Sequence, residues 1–303
     1  MKIVIIGAGA VGAYFGARLQ QAGQKVEFLV RKQRAIQLSE EGMYITSPHG
    51  NYVFNDMEFT DDVHTISDPD LVLLAVKGYH LQSILGDIEI LVNQGARVLP
   101  LLNGLEHIHI LQDKFGKEAV IGGSAYIVST LNERGHVVHS NIQHDFIYGP
   151  LHPSQEEICT QLEAITESAI MGAQKSEDIL TALWNKYMFI TAFSGVTTAS
   201  NLPIGTIRKF PETFELVYKV LLEMQTLAGA HDVTLSDQQV SQALAAMKDL
   251  PEEATSSMHQ DRRKSMTLEV EHLQGGAIRL ARKAAIQLPV VESLYALIKP
   301  FEN

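Results

Sequence analysis

The sequence has little cysteine, no excess of basic residues and no long apolar run. Of its 303 residues only Cys159 is a cysteine, which excludes an intrachain disulfide and a cysteine metal cluster and fits a reducing cytoplasm. The formal net charge of -11 argues against nucleic-acid binding, which normally needs a basic surface. Uninterrupted apolar stretches of ~18 residues, the length of a membrane span, do not occur. We therefore expect a cytoplasmic protein without nucleic-acid or membrane partners.

The first half of the chain alternates between strand and helix patterns. Short β-branched runs at residues 2–6, 25–30, 71–76 and 97–102 are typical of buried parallel strands, and helical spacing lies between them. Two further strand-like runs, 124–130 and 136–140, flank Gly135, and residues 154–168 have helical spacing with Ser154 as the expected N-cap. The alternation predicts a doubly wound α/β domain of Rossmann type.

After about residue 174 the strand patterns end and helical patterns follow one another. They cover residues 179–193, 212–230, 238–248, 260–287 and 290–298. No repeat, low-complexity segment or proline-rich linker separates the halves. The sequence thus predicts a Rossmann-type domain over residues 1–175 and an all-α domain over residues 176–303.

The N-terminal segment MKIVIIGAGAVG has the composition of a signal peptide, but its glycine spacing favours a different interpretation. Gly7, Gly9 and Gly12 form a GxGxxG pattern between a predicted strand and a predicted helix, with Ala10 and Val11 opening the helix. Gly7 would permit the tight turn, Gly9 the close approach of a pyrophosphate, and Gly12 the packing of helix on strand. The pattern predicts a dinucleotide held at the helix N-terminus.

The second strand indicates which dinucleotide is bound. An acidic residue at its carboxyl end would favour NAD, but this strand ends in Val30-Arg31-Lys32. The Arg31 guanidinium offers a planar fork of donors to a 2′-phosphate. Glu27 lies inside the strand, where we expect it to face solvent. NADP is therefore preferred to NAD, with a solvated surface charge as the simpler alternative for Arg31.

Polar residues follow two other predicted strands, at the edge where open parallel sheets bind ligands. Lys77 comes directly after LVLLAV and Asn103 directly after RVLPLL. In the second half, Lys186 interrupts the apolar helix LWNKYMFITAF, with Ile190 and Ser194 one and two turns further on the same face. Spacing alone favours a lysine whose stem is buried and whose amine reaches water.

Several motifs in order along the chain resemble the ketopantoate reductase (2-dehydropantoate 2-reductase) family. They are IVIIGAGAVG, VKGYH, LLNG, LWNK, SSMHQD and TLEVEHLQGG, which together span nearly the whole chain. The resemblance implies a Rossmann domain followed by a helical domain and NADPH-dependent reduction of a 2-oxo acid. The reaction that it implies converts 2-dehydropantoate to pantoate in pantothenate biosynthesis.

The resemblance also assigns roles to single residues. Lys186 matches the catalytic lysine, Glu269 and Ser257 match substrate-binding residues, and Arg31 matches the residue for the 2′-phosphate. Lys77 and Asn103 match residues that line the coenzyme and the active site.

Two positions depart from the family pattern. Ile190 and Ser194 would line the substrate where the family usually carries asparagine, so a more apolar or smaller 2-oxo acid is an alternative substrate. A related 2-hydroxy-acid dehydrogenase and a non-catalytic NADP-binding regulator stay open, although Lys186 and Glu269 argue against the regulator. A metal site is not expected, because His107 and His109 are two residues apart and do not share a helix face. A homodimer through the helical domain also stays open.

Overall fold

The computed structural model describes residues 1–302, and the chain divides into two compact units. The first unit holds residues 1–102 and 107–179, and the second holds residues 103–106 and the chain from Leu180 onward. The predicted boundary between residues 175 and 176 differs from this division by four residues and by the short segment 103–106. Residues 103–106 belong to the second unit, although the chain on both sides of them belongs to the first.

Ten strands form two sheets, both in the first unit. The strands are β1 Lys2–Ile6, β2 Lys25–Leu29, β3 Tyr44–Thr46, β4 Tyr52–Val53, β5 Glu58–Thr60, β6 Leu71–Leu74, β7 Arg97–Pro100, β8 Gly122–Leu131, β9 Val137–Gly149 and β10 Gly172–Lys175.

The first sheet has the order β5-β2-β1-β6-β7, and all of its pairs are parallel. The apolar runs form strands because both faces are covered: Ile3, Ile5, Phe28, Leu73 and Leu99 are all fully buried. The order reverses at β1, which places the carboxyl end of that strand at the topological switch point. The Rossmann-type prediction for this half is confirmed.

The second sheet is built around the long strand β9. β8 pairs with it in antiparallel register, β3 and β10 pair with it in parallel, and β4 pairs with β3. The predicted strands at 124–130 and 136–140 are therefore correct in type, and both extend further than expected.

Five helices begin in the first half of the chain and seven in the second. They are α1 Ala10–Gln21, α2 Lys32–Glu41, α3 Leu81–Asn93, α4 Glu106–Phe115, α5 Glu156–Thr166, α6 Ile179–Ser200, α7 Ile204–Arg208, α8 Pro211–Gly229, α9 Asp237–Asp249, α10 Ser257–Arg263, α11 Gln274–Lys283 and α12 Pro289–Ile298. From Leu180 to Glu302, as far as the structure describes the chain, the regular elements are helices, as predicted. None of the described helices is long and apolar enough to cross a membrane.

Two local predictions were wrong. The helix expected over residues 260–287 is two helices, because Ser265 adopts φ +52° and the Met266 amide donates to the Asp261 carbonyl at 2.9 Å, which ends α10. Ser154 is not an N-cap: it lies in a 3₁₀ turn, Pro153–Gln155, whose N-cap is His152. The backbone amide of His152 donates a hydrogen bond to Oε1 of Gln155 at 3.1 Å, which completes a capping box.

Candidate functional site

The glycine loop joins β1 to the N-terminus of α1 at the switch point of the first sheet. Gly7 has φ +99°, and a Cβ there would lie 2.9 Å from the side chain of Val76. A Cβ at Gly12 would lie 2.1 Å from the Gly7 carbonyl oxygen, so the helix could not pack at this distance with any larger residue. Both positions therefore require glycine for the loop itself.

Gly9 differs from its two neighbours in the motif. It is the N-cap of α1 with φ -74°, and a Cβ there would meet nothing within 4 Å. The absent side chain thus leaves space in front of the first turn of α1, where Ala10 and Val11 begin the helix. Free amides and the positive end of a 12-residue helix face that space, so the loop fits the pyrophosphate of a dinucleotide.

Arg34 on α2 donates a hydrogen bond to the backbone of this loop, although no sequence pattern indicated it. Its Nε donates to the Ala8 carbonyl at 3.0 Å, and its Nη2 donates to the Gly135 carbonyl at 2.8 Å. Burial lowers the pKa of this guanidinium from its ordinary value. Arg34 and Gly135 are 101 positions apart in sequence, so no local sequence pattern could predict their contact.

Arg31 lies beside the glycine loop and contacts a residue that the sequence patterns missed. It is exposed at the N-cap of α2, and its Nη1 lies 3.3 Å from Nε2 of His80. His80 ends a 3₁₀ turn, Gly78–His80, for which Lys77 is the N-cap. Burial and the Arg31 charge lower the pKa of His80. Arg31 is thus an exposed cation beside an imidazole that favours its neutral form.

Glu27 does not reach this position. It lies within β2, half-buried, with its carboxylate 3.1 Å from the Lys2 ammonium. The expectation that Glu27 faces solvent was therefore only partly correct, because Lys2 covers and neutralises it. A carboxylate engaged inside the strand is not placed to bind the ribose hydroxyls of NAD.

Lys186 lies on α6 in the second unit and is half-buried. Desolvation lowers the pKa of Lys186 to about 8, and the Glu269 carboxylate acts in the opposite direction. Glu269 itself is buried, with 3% of its surface exposed. It was expected on a helix but lies in the non-helical segment 264–273 between α10 and α11. The structure therefore brings Lys186 and Glu269 into electrostatic contact from distant parts of the chain.

The residues expected to line the substrate near Lys186 differ in their environments. Ile190, one turn after the lysine, is half-buried, and Ser194, two turns after it, is buried. Ser257 is exposed at the first position of α10, whereas its neighbour Ser256 is buried and caps that helix. The Ser256 hydroxyl also lies 3.1 Å from the Thr197 hydroxyl on α6, which fixes the start of α10 against the lysine-bearing helix.

Asn103 is half-buried and belongs to the second unit rather than the first. The next residue, Gly104, has φ +85°, and a Cβ there would lie 2.6 Å from the His272 carbonyl oxygen. Tyr187, which follows the lysine, donates from its hydroxyl to the Leu273 carbonyl at 2.6 Å. The segments that carry Asn103, Glu269 and Lys186 are thus packed against one another within one unit.

Among residues 1–302, no group of three or more histidine, cysteine, aspartate or glutamate side chains is placed to hold a metal ion.

The predicted site residues fall into two sets. The first unit holds the dinucleotide loop with Gly7, Gly9, Ala10, Val11 and Gly12, together with Arg31 and Lys77, and the second unit holds Asn103, Lys186, Ile190, Ser194, Ser257 and Glu269.

Comparison with known proteins places the chain in a family. The model of the ketopantoate reductase PanE/ApbA family matches residues 3–153, and the model of its C-terminal domain matches residues 178–302. The chain belongs to the ketopantoate reductase family. The resemblance seen in the sequence motifs is thereby confirmed.

Individual relatives cover almost the whole chain. The uncharacterized oxidoreductase YkpB of Bacillus subtilis (strain 168) is 32% identical over 100% of this chain and 99% of its own length. A 2-dehydropantoate 2-reductase of Nostoc sp. is 23% identical over 98% of this chain and 94% of its own. The crystal structure of 2-dehydropantoate 2-reductase from Geobacter metallireducens GS-15 has a TM-score of 0.91 and 28% identity, covering 99% of both chains.

As a member of this family the protein is an oxidoreductase that uses a nicotinamide coenzyme. The glycine loop at the switch point agrees with that class on its own geometry, because it leaves open space at a helix N-terminus. The alternative of a non-catalytic regulator receives no support from the family or its relatives.

Proposed function

We propose that this ketopantoate reductase family member uses NADPH to reduce a 2-oxo acid, and that the substrate is 2-dehydropantoate, reduced to pantoate in pantothenate biosynthesis. The observation that carries the proposal is the half-buried Lys186 near the buried carboxylate of Glu269, whose charge opposes the desolvation that lowers the pKa of the ammonium. The reaction is that of the Nostoc and Geobacter relatives.

NADPH rather than NADH is the proposed coenzyme. Arg31 is exposed beside the glycine loop and presents several guanidinium donors, which match a 2′-phosphate. Glu27, the acidic residue of β2, is engaged with Lys2 inside the strand. Gly7, Gly9, Ala10, Val11 and Gly12 would hold the pyrophosphate, and Lys77 would extend the cationic edge.

When bound, the nicotinamide coenzyme would supply the hydride that the ketone carbon of the substrate accepts. Negative charge then develops on the ketone oxygen, and Lys186 would stabilise it and donate a proton from Nζ. A pKa of about 8 keeps the amine mostly protonated at neutral pH while making the proton easier to transfer than from an ordinary lysine. Glu269 would keep the ammonium charged and accept a hydrogen bond from a substrate hydroxyl, with Ser257 and Asn103 as further substrate contacts.

A more apolar 2-oxo acid is the second candidate substrate, and Ile190 favours it. This side chain is half-buried one turn from Lys186 and cannot hydrogen-bond a polar substrate group. The hydroxyl of Ser194 is buried two turns from the lysine, which leaves little polar surface on this face of α6. A substrate with an apolar group at this position would match the helix better than one with a hydroxyl.

The first test compares wild type and Lys186→Met in NADPH oxidation with 2-dehydropantoate and a panel of apolar 2-oxo acids. We expect turnover to fall by about 10²–10⁴-fold with whichever substrate is preferred, because the proton donor is lost. Lys219→Met, which removes an exposed lysine of α8, should keep wild-type turnover. Wild-type turnover in Lys186→Met would refute the mechanism, and preference for an apolar acid would replace the proposed substrate.

We also propose that the protein works in the reducing cytoplasm and as a homodimer. Cys159 is buried, and burial raises the pKa of its thiol to about 11, so it behaves as a core residue without redox reactivity. On α8 the apolar side chains of Tyr218 and Leu222 are exposed one turn apart, and they offer a surface for a second copy.

A further inference from the structure

Two loops at one edge of the first sheet bring Arg31 and His80 together. β2 and β6 lie on either side of β1, and all three strands run parallel. Their carboxyl ends therefore meet at the edge that carries the glycine loop. Arg31 follows β2 and His80 follows β6, and the Arg31 Nη1 lies 3.3 Å from Nε2 of His80.

This contact defines the protonation state of His80. A guanidinium has donors and no acceptor, so Nε2 of His80 must accept and carries no proton in the pair. Tyr79, whose ring centroid lies 4.6 Å from that of His80, and Lys77, at the start of the same turn, are further titratable groups of this loop. Asp61 and Asp62 follow β5, which pairs in parallel with β2 and so ends at the same edge of the sheet. Burial and the Arg31 charge lower the pKa of His80, which agrees with a neutral ring.

We propose that His80 is a second residue for the 2′-phosphate, and that it binds this group in its protonated form together with Arg31. The proposal rests on the use of NADPH proposed above. A phosphate dianion placed at Arg31 would accept hydrogen bonds from the guanidinium, which releases Nε2 of His80. The imidazole then takes one proton from solvent and donates from Nε2 to a phosphate oxygen. Coenzyme binding is thereby coupled to proton uptake.

The coupling has a defined sign. A bound dianion raises the pKa of His80, so the affinity for NADPH increases as pH falls through the pKa of the complex. If the pKa rises by about one unit, the affinity changes by at most about tenfold. NADH lacks the phosphate and should not respond. His80 therefore makes the preference for NADPH over NADH dependent on pH.

The test measures dissociation constants of NADPH and NADH at pH 6.5 and pH 8.5 by the fluorescence of the reduced coenzyme. At pH 6.5 a phosphate monoester, whose second pKa is about 6, is still mostly dianionic. We expect wild type to bind NADPH about two- to fivefold more tightly at pH 6.5 than at pH 8.5, because the pKa of free His80 lies below 6.5, with NADH changing less than about 1.5-fold. In His80→Gln the NADPH dependence should shrink to about that of NADH.

His64→Gln serves as the matched control, because His64 is exposed and lies in a separate 3₁₀ turn, Val63–Thr65, of the same unit. It should behave as wild type, and a melting curve for each variant establishes that all are folded. Calorimetric titration in two buffers of different ionisation enthalpy should show proton uptake on NADPH binding that His80→Gln loses.

The outcomes separate this inference from the proposed function. Equal affinity of wild type for NADPH and NADH at both pH values would overturn the coenzyme assignment and this inference together. If wild type prefers NADPH but its affinity for NADPH does not change with pH, the inference alone is overturned. The same holds if the affinity changes with pH equally in wild type and in His80→Gln. Neither measurement depends on the identity of the 2-oxo acid.

Discussion

At Lys186 two opposing environments determine the charge of one amine. Desolvation favours the neutral form, and the buried Glu269 carboxylate favours the ammonium, which leaves the pKa at about 8. Because the proposed role needs the ammonium, the active fraction should be large below pH 8 and should decline as pH rises through that value. The profile of kcat/KM against pH reports this ionisation in the free enzyme.

Glu269→Gln should shift the alkaline limb of that profile to lower pH. The substitution keeps the size of the side chain but removes the charge that raises the pKa of Lys186, so we expect a shift of about one unit. The measurement is kcat/KM from pH 6 to pH 10 with the preferred 2-oxo acid. Glu292→Gln, at an exposed position of α12, should leave the limb unchanged. An unshifted limb in Glu269→Gln would show that the carboxylate does not control the lysine.

The glycine loop is an element whose residues serve different purposes, and this can be tested at Gly9. Its φ of -74° suits alanine, and a Cβ would meet nothing within 4 Å, so Gly9→Ala should fold normally. The new methyl group would occupy the space in front of α1 and weaken coenzyme binding at least about tenfold by steric exclusion.

Thermal melting and NADPH titration of Gly9→Ala provide the readouts. Gly86→Ala is the matched control, because a Cβ there also meets nothing, and alanine within α3 should stabilise the protein by about 0.5–1 kcal/mol. Its NADPH affinity should equal that of wild type. Wild-type affinity in Gly9→Ala would place the pyrophosphate elsewhere.

Elements with a local cause were predictable from the sequence, and those with a tertiary cause were not. The strand, glycine turn and helix at the N-terminus follow from neighbouring residues, as does the switch to helices after β10. The break between α10 and α11 depends on Ser265 in a left-handed conformation, a position that more commonly holds glycine or asparagine. Helical spacing therefore continued across it, and Glu269 was expected on a helix rather than in the non-helical segment where it lies.

Across the whole molecule, the chain enters the second unit twice. Residues 103–106 join that unit while the chain on both sides belongs to the first. The guanidinium of Arg279 holds this segment with three hydrogen bonds of 2.7–3.0 Å to the Glu106 carboxylate, and it also donates to Glu271 at 2.9 Å. Glu106 and Arg279 are 173 positions apart in sequence, so no local pattern could reveal the pair.

The ion pair between the planar guanidinium fork of Arg279 and the Glu106 carboxylate should stabilise the protein and keep Asn103 in place. In a double-mutant cycle of Arg279→Met and Glu106→Gln, measured by urea unfolding, we expect a coupling energy of about 0.5–3 kcal/mol. The exposed pair of Lys209 and Glu252, 3.7 Å apart, is the matched control and should couple by no more than about 1 kcal/mol.

Arg279→Lys keeps the charge but loses the planar fork, so it should recover only part of the stability that Arg279→Met loses. If the fork also positions Asn103, Arg279→Met should lower kcat/KM even under conditions where the variant is fully folded, and Arg279→Lys should restore part of it. A coupling energy no larger than that of the control pair would mean that Gly104 and its contact with His272 hold the segment without help from Arg279.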